Sequence, residues 1–168
     1  MAVLDVLLYP HPTLKRTARE LGDGEHVEAE RVAADLIETM DSHPGCVGLA
    51  APQLGHLVRM IAVDVSEHRK AVNPNGRLLL VNPEVTASEG AEVAREGCLS
   101  IPHLTANVRR PTRIEVSATA LAGETLELTS EGFEARCLLH ELDHLDGKLF
   151  LDRVDSLATD VFRRKRYR

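Results

Sequence analysis

The feature that most constrains this chain is a pair of histidines four residues apart. Residues 140–144 read His-Glu-Leu-Asp-His. Residues i and i+4 lie on one face of an α-helix, with Cβ atoms about 5–6 Å apart, so both imidazoles can reach one metal ion if the segment is helical. Glu141 would then lie beside the ion, where it can take a proton from a water molecule without being a ligand. The alternative is an amphipathic helix with two surface histidines.

A catalytic metal site takes three protein ligands and leaves a position open. No histidine or cysteine follows His144, and the carboxylates further on are Asp146, Asp152, Asp155 and Asp160. The cysteines before the histidine pair are Cys46, Cys98 and Cys137. Cys137 is three residues before His140 on the same predicted helix, so we expect it to pack beside the site. Cys98, next to Gly97 at a predicted strand end, is the more natural third ligand, although a lone cysteine is commonly just a small buried hydrophobe.

The chain predicts an α+β fold in one domain. Its 168 residues and 43% hydrophobic content suit a single core. Helices are expected over about residues 27–42 and 132–145, the second closed by Gly147. Strands are expected over residues 57–65, 77–81, 92–96, 106–110, 113–118 and 125–129, with a hairpin turn at residues 73–76. Because these strands are grouped between the helices, we expect mostly antiparallel sheets.

Composition limits the classes of partner. No run approaches the ~20 apolar residues of a membrane span, and the first residues lack the pattern of a signal peptide. Three widely spaced cysteines do not form a disulfide framework, which favours a cytoplasmic protein. The net charge of −6 argues against nucleic acid bound over the whole surface, and no specific DNA contact is expected. Residues 163–168 nevertheless carry five of the 20 lysines and arginines.

A stretch of small residues supplies a third candidate segment. Residues 48–55 read Gly-Leu-Ala-Ala-Pro-Gln-Leu-Gly and directly follow the first predicted helix. Small side chains allow a substrate backbone to come close. Gln53 provides an amide donor in an otherwise apolar setting.

Together, three segments resemble the peptide deformylase family. That family carries Gly-x-Gly-x-Ala-Ala-x-Gln, then Glu-Gly-Cys-x-Ser, then Gln-His-Glu-x-x-His. Here the corresponding residues are 46–53, 96–100 and 139–144, in the same order and with fitting separations. The resemblance also includes Tyr9-Pro10 and residues 149–153, so it covers nearly the whole chain.

The resemblance implies a single catalytic domain over residues 1–168, with the sheets packed around a central metal-binding helix. The implied reaction removes the formyl group from the N-terminal formyl-methionine of new polypeptides and releases formate. The implied metal ligands are Cys98, His140 and His144. The implied catalytic groups are Glu141 as base and then acid, with Gln53 and the Leu99 N–H as donors to the oxyanion. The implied substrate-binding residues are Val47, Gly48 and Cys137.

The metal and the partners also follow from the resemblance. It suggests one Fe²⁺ ion, replaceable by Zn²⁺, Ni²⁺ or Co²⁺, whereas ligand preference alone would suit zinc or a neighbouring divalent ion. The partner is the nascent formyl-methionyl polypeptide. A basic C-terminal tail at about residues 163–168 is a candidate contact with the ribosome, and a frayed, solvated terminus is the alternative.

Two positions depart from the family pattern. Cys46 stands where the first loop glycine is usual, and Leu139 replaces the glutamine before the first histidine. A Cβ at position 46 would cost about 1–2 kcal/mol if the loop needs positive φ there. Cys46 is also a candidate oxidation sensor. A catalytically impaired or specialised paralogue and a metallopeptidase remain as alternative functions, although a metallopeptidase would lack its usual downstream ligand.

Overall fold

The computed structural model describes residues 2–165, which form two α-helices, eight strands and three short 3₁₀ turns. The helices are α1 (His26–Ser42) and α2 (Gly132–Leu145). The strands are β1 (Gly48–Ala50), β2 (Met60–Val63), β3 (Leu78–Glu89), β4 (Glu92–Cys98), β5 (Ile101–Arg110), β6 (Arg113–Thr119), β7 (Thr125–Glu131) and β8 (Val161–Arg163). The 3₁₀ turns are Pro12–Lys15, Ala51–Leu54 and Phe150–Arg153.

The strands form two sheets in which all pairs are antiparallel. The five-stranded sheet has the order β1-β2-β3-β6-β7, and the three-stranded sheet has the order β4-β5-β8. Within the described residues, β1 and β4 are therefore edge strands. Each has one side without a neighbouring strand, and both strands carry residues of the predicted site.

Helix α2 lies between the two sheets because its two faces differ in polarity. Its apolar face, with Leu138 and Leu142, joins the core cluster that includes Ile61 and Val116 of the five-stranded sheet. Its polar face, with His140, meets β4 and β5 through buried hydrogen bonds. The predicted α+β fold with antiparallel sheets around a central helix is confirmed.

Helix α1 covers the other side of the small-residue segment. Val32, Leu36 and Met40 recur at helical spacing and pack in one cluster with Leu49 and Met60 of β1 and β2. Both Val32 and Leu36 are fully buried. This packing fixes the start of β1, where the predicted substrate-binding residues lie.

Gly147 ends the central helix, as the sequence predicts. Its φ is 70°, and a Cβ there would lie 2.6 Å from the carbonyl oxygen of Lys15. The Gly147 N–H donates to the carbonyl of His144, and the Lys148 N–H donates to that of Asp143. Glycine suits this position because left-handed backbone and a close backbone neighbour both disfavour a side chain.

The structure differs from the sequence-based prediction in several details. The strands predicted over residues 77–81 and 106–110 extend to Leu78–Glu89 and Ile101–Arg110. Strands β1 and β8 were not predicted. Residues 73–76 do not form a tight hairpin but lie in the long connection between β2 and β3. Asn75 there donates from its backbone N–H and its side chain to the Glu134 carboxylate on α2. The turn residues therefore serve to dock a loop on a helix.

The predicted basic tail is partly built into a sheet. Arg163 is the last residue of β8 and pairs with Leu104, and the Arg164 N–H donates to the carbonyl of His103. Residues 166–168 lie outside the described part of the chain. Along residues 2–165, neither helix is long and apolar enough to cross a membrane.

Candidate active site

The three predicted metal ligands come together at the face where α2 meets β4. Cys98 ends β4, and His140 and His144 lie one turn apart on α2. Their donor atoms all lie within 4.8 Å of one another, and all three residues are buried. The Cys98 Sγ is 3.4 Å from the His144 Nε2. A thiol and two imidazoles at this spacing can share one ion.

The chemistry of these donors fits a divalent metal. Burial alone would raise the pKa of the Cys98 thiol, but His144 and His140 outweigh it and hold that pKa well below its ordinary value. The site therefore favours the thiolate, which is the form that ligates metals. Three such ligands leave one coordination position for water or substrate, as in catalytic sites.

His140 is oriented by a carboxylate that sequence reasoning did not assign a role. Its Nδ1 lies 2.8 Å from Glu96 Oε1, which leaves Nε2 to face the cysteine. Glu96 accepts two hydrogen bonds from Arg110, at 2.8 and 2.9 Å, and one from Arg136 at 2.8 Å. Burial opposes its ionisation, yet Arg110 and His140 hold the pKa of Glu96 far below its usual value.

The ionic contacts continue across α2. Arg110 Nη1 donates to Asp143 Oδ2 at 2.7 Å, and Arg153 Nη2 donates to Asp143 Oδ1 at 2.8 Å. We call Glu96, Arg110, Arg136, Asp143 and Arg153 the buried ionic network, although Arg153 itself is partly exposed. Glu96 is the first residue of the Glu-Gly-Cys-x-Ser motif, and this position is the sequence signal that could have identified it. The arginines carry no such local signal.

Glu141 lies between the two histidines and beside β1. It is only 5% exposed, and its Oε2 has no hydrogen-bond partner among the described residues. Burial raises the pKa of Glu141 to about 7, against the opposing influence of His140 and His144. A carboxylate with a pKa near neutrality is suited to exchange protons in both directions.

Gly48 brings the first strand directly against that carboxylate. A Cβ at this position would lie 2.8 Å from Glu141 Oε1 and 3.1 Å from its Cγ. Residue 48 therefore has no room for a side chain while Glu141 keeps its place. The predicted substrate-binding glycine is adjacent to the predicted base.

Gln53 reaches the site from the 3₁₀ turn after β1. Its Oε1 accepts the Ala50 N–H at 3.0 Å, which fixes the amide orientation. Its Nε2 donates to Ser100 Oγ at 3.1 Å and lies 3.5 Å from the Cys98 Sγ. Leu99 directly follows Cys98 and is partly buried. Both predicted oxyanion donors thus belong to segments that adjoin the ligands.

The other predicted substrate-binding residues form part of an apolar wall. Val47 and Cys137 belong to the same core cluster, with Cys137 buried and Val47 partly exposed. Burial raises the pKa of the Cys137 thiol, and the Glu141 charge adds to the effect. Cys137 is therefore a neutral apolar group beside the site, as the sequence predicts.

The two departures from the family pattern cause no visible strain. The positive φ of this loop is at Gly45, 79°, and position 46 is not in the left-handed region. The Cys46 Sγ donates to the Gly48 carbonyl at 3.2 Å. Burial, with the Glu141 charge, raises the pKa of Cys46 to about 12, which argues against an easily oxidised thiolate. Leu139 packs against the core cluster of α2.

A buried cysteine and two imidazoles that could hold one ion, next to a carboxylate with a raised pKa, are the groups from which metal-dependent hydrolases build their sites. Comparisons with known proteins identify the family of hydrolases. The family model described as polypeptide deformylase matches residues 3–160. The chain therefore belongs to the polypeptide deformylase family.

Individual relatives match the sequence of this chain over nearly its full length. The chain is 41% identical to a peptide deformylase of Xylella fastidiosa strain M12, covering 98% of this chain and 95% of the relative. It is 38% identical to one from Thermodesulfovibrio yellowstonii, covering 98% and 97%.

Solved structures share the fold. The peptide deformylase of Thermotoga maritima matches with a TM-score of 0.82 and 33% identity, covering 93% of this chain and 100% of that one. A Met-Ala-Ser-bound peptide deformylase of Acinetobacter baumannii matches with a TM-score of 0.84 and 31% identity, covering 91% and 100%. The chain is accordingly a hydrolase that removes the N-formyl group from nascent formyl-methionyl polypeptides, and its family is metal-dependent.

Proposed function

We propose that Cys98, His140 and His144 hold one divalent ion and that Glu141 moves the protons of deformylation. The observation that carries this assignment is the convergence of the three donor atoms within 4.8 Å of one another. The buried carboxylate of Glu141 lies on the same helix, next to His140. We further propose Fe²⁺ as the native ion, with Zn²⁺, Ni²⁺ or Co²⁺ able to replace it at these ligands.

The formyl-methionyl peptide binds in extended form along the edge strands β1 and β4. Unpaired backbone N–H and C=O groups at a sheet edge accept an added strand. Gly48 lets the peptide backbone approach, and Val47 with Cys137 lines the methionine pocket. The Met-Ala-Ser peptide bound to the Acinetobacter baumannii relative supports a substrate that begins with methionine.

Glu141 transfers the protons in this mechanism. A bound divalent ion would supply Lewis-acid chemistry, making a water molecule more acidic and polarising the formyl carbonyl. Glu141 takes a proton from the attacking water, whose oxygen bonds to the formyl carbon. Gln53 Nε2 and the Leu99 N–H donate to the carbonyl oxygen as negative charge develops on it. The C–N bond then breaks, Glu141 gives the proton to the leaving amine, and formate departs.

The site of action is the cytoplasm, where new polypeptides leave the ribosome. The basic C-terminal end is proposed to contact the ribosome. Its support is the clustering of five basic residues among the last six. Since Arg163 belongs to β8, the contact would extend outward from the three-stranded sheet.

Five variants test the division of roles. Glu141→Gln keeps the size of the side chain but removes the base, so we expect full metal content and at least a ~10²-fold loss of turnover. Cys98→Ala, His140→Ala and His144→Ala are each expected to lose metal and activity together, because two ligands do not retain a labile ion. Cys137→Ser is the matched control and is expected to keep its metal.

The measurements are metal-to-protein stoichiometry and formate release from a formyl-Met peptide by anaerobically purified, iron-loaded protein. A Cys98→Ala variant with a full metal complement would contradict the ligand set. A Glu141→Gln variant near the wild-type rate would contradict the role of the base.

A further inference from the structure

The outer face of the three-stranded sheet carries an arginine, Arg164, that reaches the strand of a predicted metal ligand. Arg164 directly follows β8, and its side chain crosses β5 to reach β4. The guanidinium occupies the space that Gly97 leaves, since a Cβ on Gly97 would collide with its Nη2. The Arg164 Nε is buried and has no hydrogen-bond partner among the described residues.

Arg164 lies one residue along β4 from a metal ligand, but on the other face of the sheet. Successive residues of a strand point to opposite faces. Glu96 and Cys98 are buried toward α2. Gly97, between them, therefore faces outward, and this is the face on which Arg164 lies.

A peptide that pairs with the free edge of β4 would present its second side chain to Arg164. The methionine of such a peptide points inward, toward Cys137, so the next side chain points outward. Residues directly opposite each other on paired strands have side chains on the same face. The peptide residue opposite Gly97 is thus on the face of Arg164.

We infer that Arg164 is a specificity-determining residue that favours aspartate or glutamate as the second residue of the substrate. The inference rests on the proposed function, because it places the formyl-methionyl peptide along β4. A guanidinium makes charge-assisted hydrogen bonds to a carboxylate, and it repels lysine or arginine. Arg95 adds positive charge on the same face, but its own side chain is held 3.7 Å over the Phe162 ring and bonded to Asn107.

The test uses three formyl-Met-Xaa-Ser peptides, with aspartate, alanine or lysine as Xaa. Each peptide has an amidated C-terminus, which removes the other carboxylate. Formate release gives kcat/KM for each peptide. For the wild-type enzyme we expect aspartate to be preferred to lysine by about tenfold at low salt, and by less at high salt.

Variants assign the preference to one side chain. Arg164→Gln is expected to reduce the aspartate-to-lysine ratio to about twofold, the remainder coming from Arg95. Arg164→Glu is expected to reverse the ratio. Arg163→Gln is the matched control, because Arg163 is the preceding, exposed residue whose side chain alternates to the other face. It should keep the wild-type ratio.

Failure of the inference and failure of the proposed function give different results. Equal rates for all three peptides with the wild-type enzyme would overturn the role of Arg164 alone. An unchanged ratio in Arg164→Glu would overturn it as well. A total lack of formate from every peptide, alanine included, would instead contradict the proposed function.

Discussion

At the scale of single residues, the constraint nearest the proposed chemistry is the one between Gly48 and Glu141. The space for a Cβ on residue 48 is already filled by the Glu141 carboxylate. Glycine therefore leaves room for the proposed base, and in our proposal it also opens the backbone of β1 to a substrate. Neither function requires unusual backbone angles, since Gly48 has no positive φ.

Gly48→Ala is expected to lower kcat by about 10²-fold while leaving the metal bound. The added methyl group would lie 2.8 Å from Glu141 Oε1, so the carboxylate must move, and a displacement of about 1 Å costs rates of this order. Overpacking should also destabilise the fold by about 1–3 kcal/mol. Formate release, metal content and denaturant unfolding measure the three effects.

Gly24→Ala is the matched control for that substitution. A Cβ at Gly24 meets nothing within 4 Å, so this variant should keep the wild-type rate and stability. Equal rates for Gly48→Ala and Gly24→Ala would mean that the Glu141 carboxylate can move without loss of activity. That result would contradict the positioning role of Gly48.

Single residues were predictable where a local motif identified them. The spacing of His140 and His144 indicates a shared ion because helical geometry is regular. The orienting role of Glu96 depends on β4 meeting α2, 44 residues further along the chain, and no local pattern encodes that contact. The condition for strain at Cys46 is not met, because the loop places its left-handed residue one position earlier, at Gly45.

At the scale of secondary-structure elements, the buried ionic network joins α2 to the three-stranded sheet. Glu96 on β4 meets Arg110 on β5, and Arg110 meets Asp143 on α2. Such charges are costly to bury unless each is paired. The network therefore fixes the distance and rotation of the helix relative to the strand that carries Cys98.

Glu96→Gln is expected to weaken metal binding by about 10–100-fold. The variant removes the Glu96 carboxylate from Arg136 and from Arg110, which keeps only Asp143, and it removes the anionic partner of the His140 Nδ1. Loss of one member of a buried ion pair should also lower the free energy of unfolding by about 3–5 kcal/mol. Competition with a chromophoric chelator measures the affinity, and urea unfolding measures the stability.

Glu92→Gln provides the comparison on the same strand. Glu92 is exposed, so its charge is screened and its loss should change stability by less than about 0.5 kcal/mol. Equal metal affinity in Glu96→Gln and Glu92→Gln would show that His140 does not need its carboxylate partner.

The helices were predicted more completely than the strands, of which β3 and β5 are about twice as long as expected. Helix α2 has the predicted bounds because Gly132 and Gly147 mark its ends and its apolar face repeats at helical spacing. Strands β1 and β8 have three residues each. So few residues show no alternation, and each is a strand only because a neighbouring strand bonds to it.

At the scale of the whole molecule, the proposed ligands lie on β4 and α2, so that metal binding would be part of the folding equilibrium. An ion that binds only the folded chain stabilises it, by about 2.7 kcal/mol at a concentration 100-fold above the dissociation constant. We expect added Zn²⁺ or Co²⁺ to raise the thermal unfolding midpoint of metal-free protein. Cys98→Ala should lose this response.

Cys137→Ser distinguishes a specific site from general thiol binding. Cys137 is buried but is not one of the proposed ligands, so this variant should keep the full thermal response. A response in Cys98→Ala as large as that of the wild type would mean that the ion binds elsewhere.

The order of the strands could not be predicted from local patterns. β3 pairs with β6 although β4 and β5, which belong to the other sheet, lie between them in the sequence, and β8 returns to β5 after the central helix. These pairings depend on which faces are buried together. The family resemblance implies sheets packed around a central helix, but it was not used to predict these pairings.

The unpaired edges of β1 and β4 beside the site have a consequence for the range of polypeptides that the enzyme can accept. A polypeptide held by its main chain is recognised through backbone groups that nearly all amino acids share. These hydrogen bonds therefore depend little on the side chains of the polypeptide. One small enzyme can then serve a whole proteome, while the side chains around the groove only adjust how quickly each nascent chain is processed. This generality would come from the free backbone groups at the edges of β1 and β4.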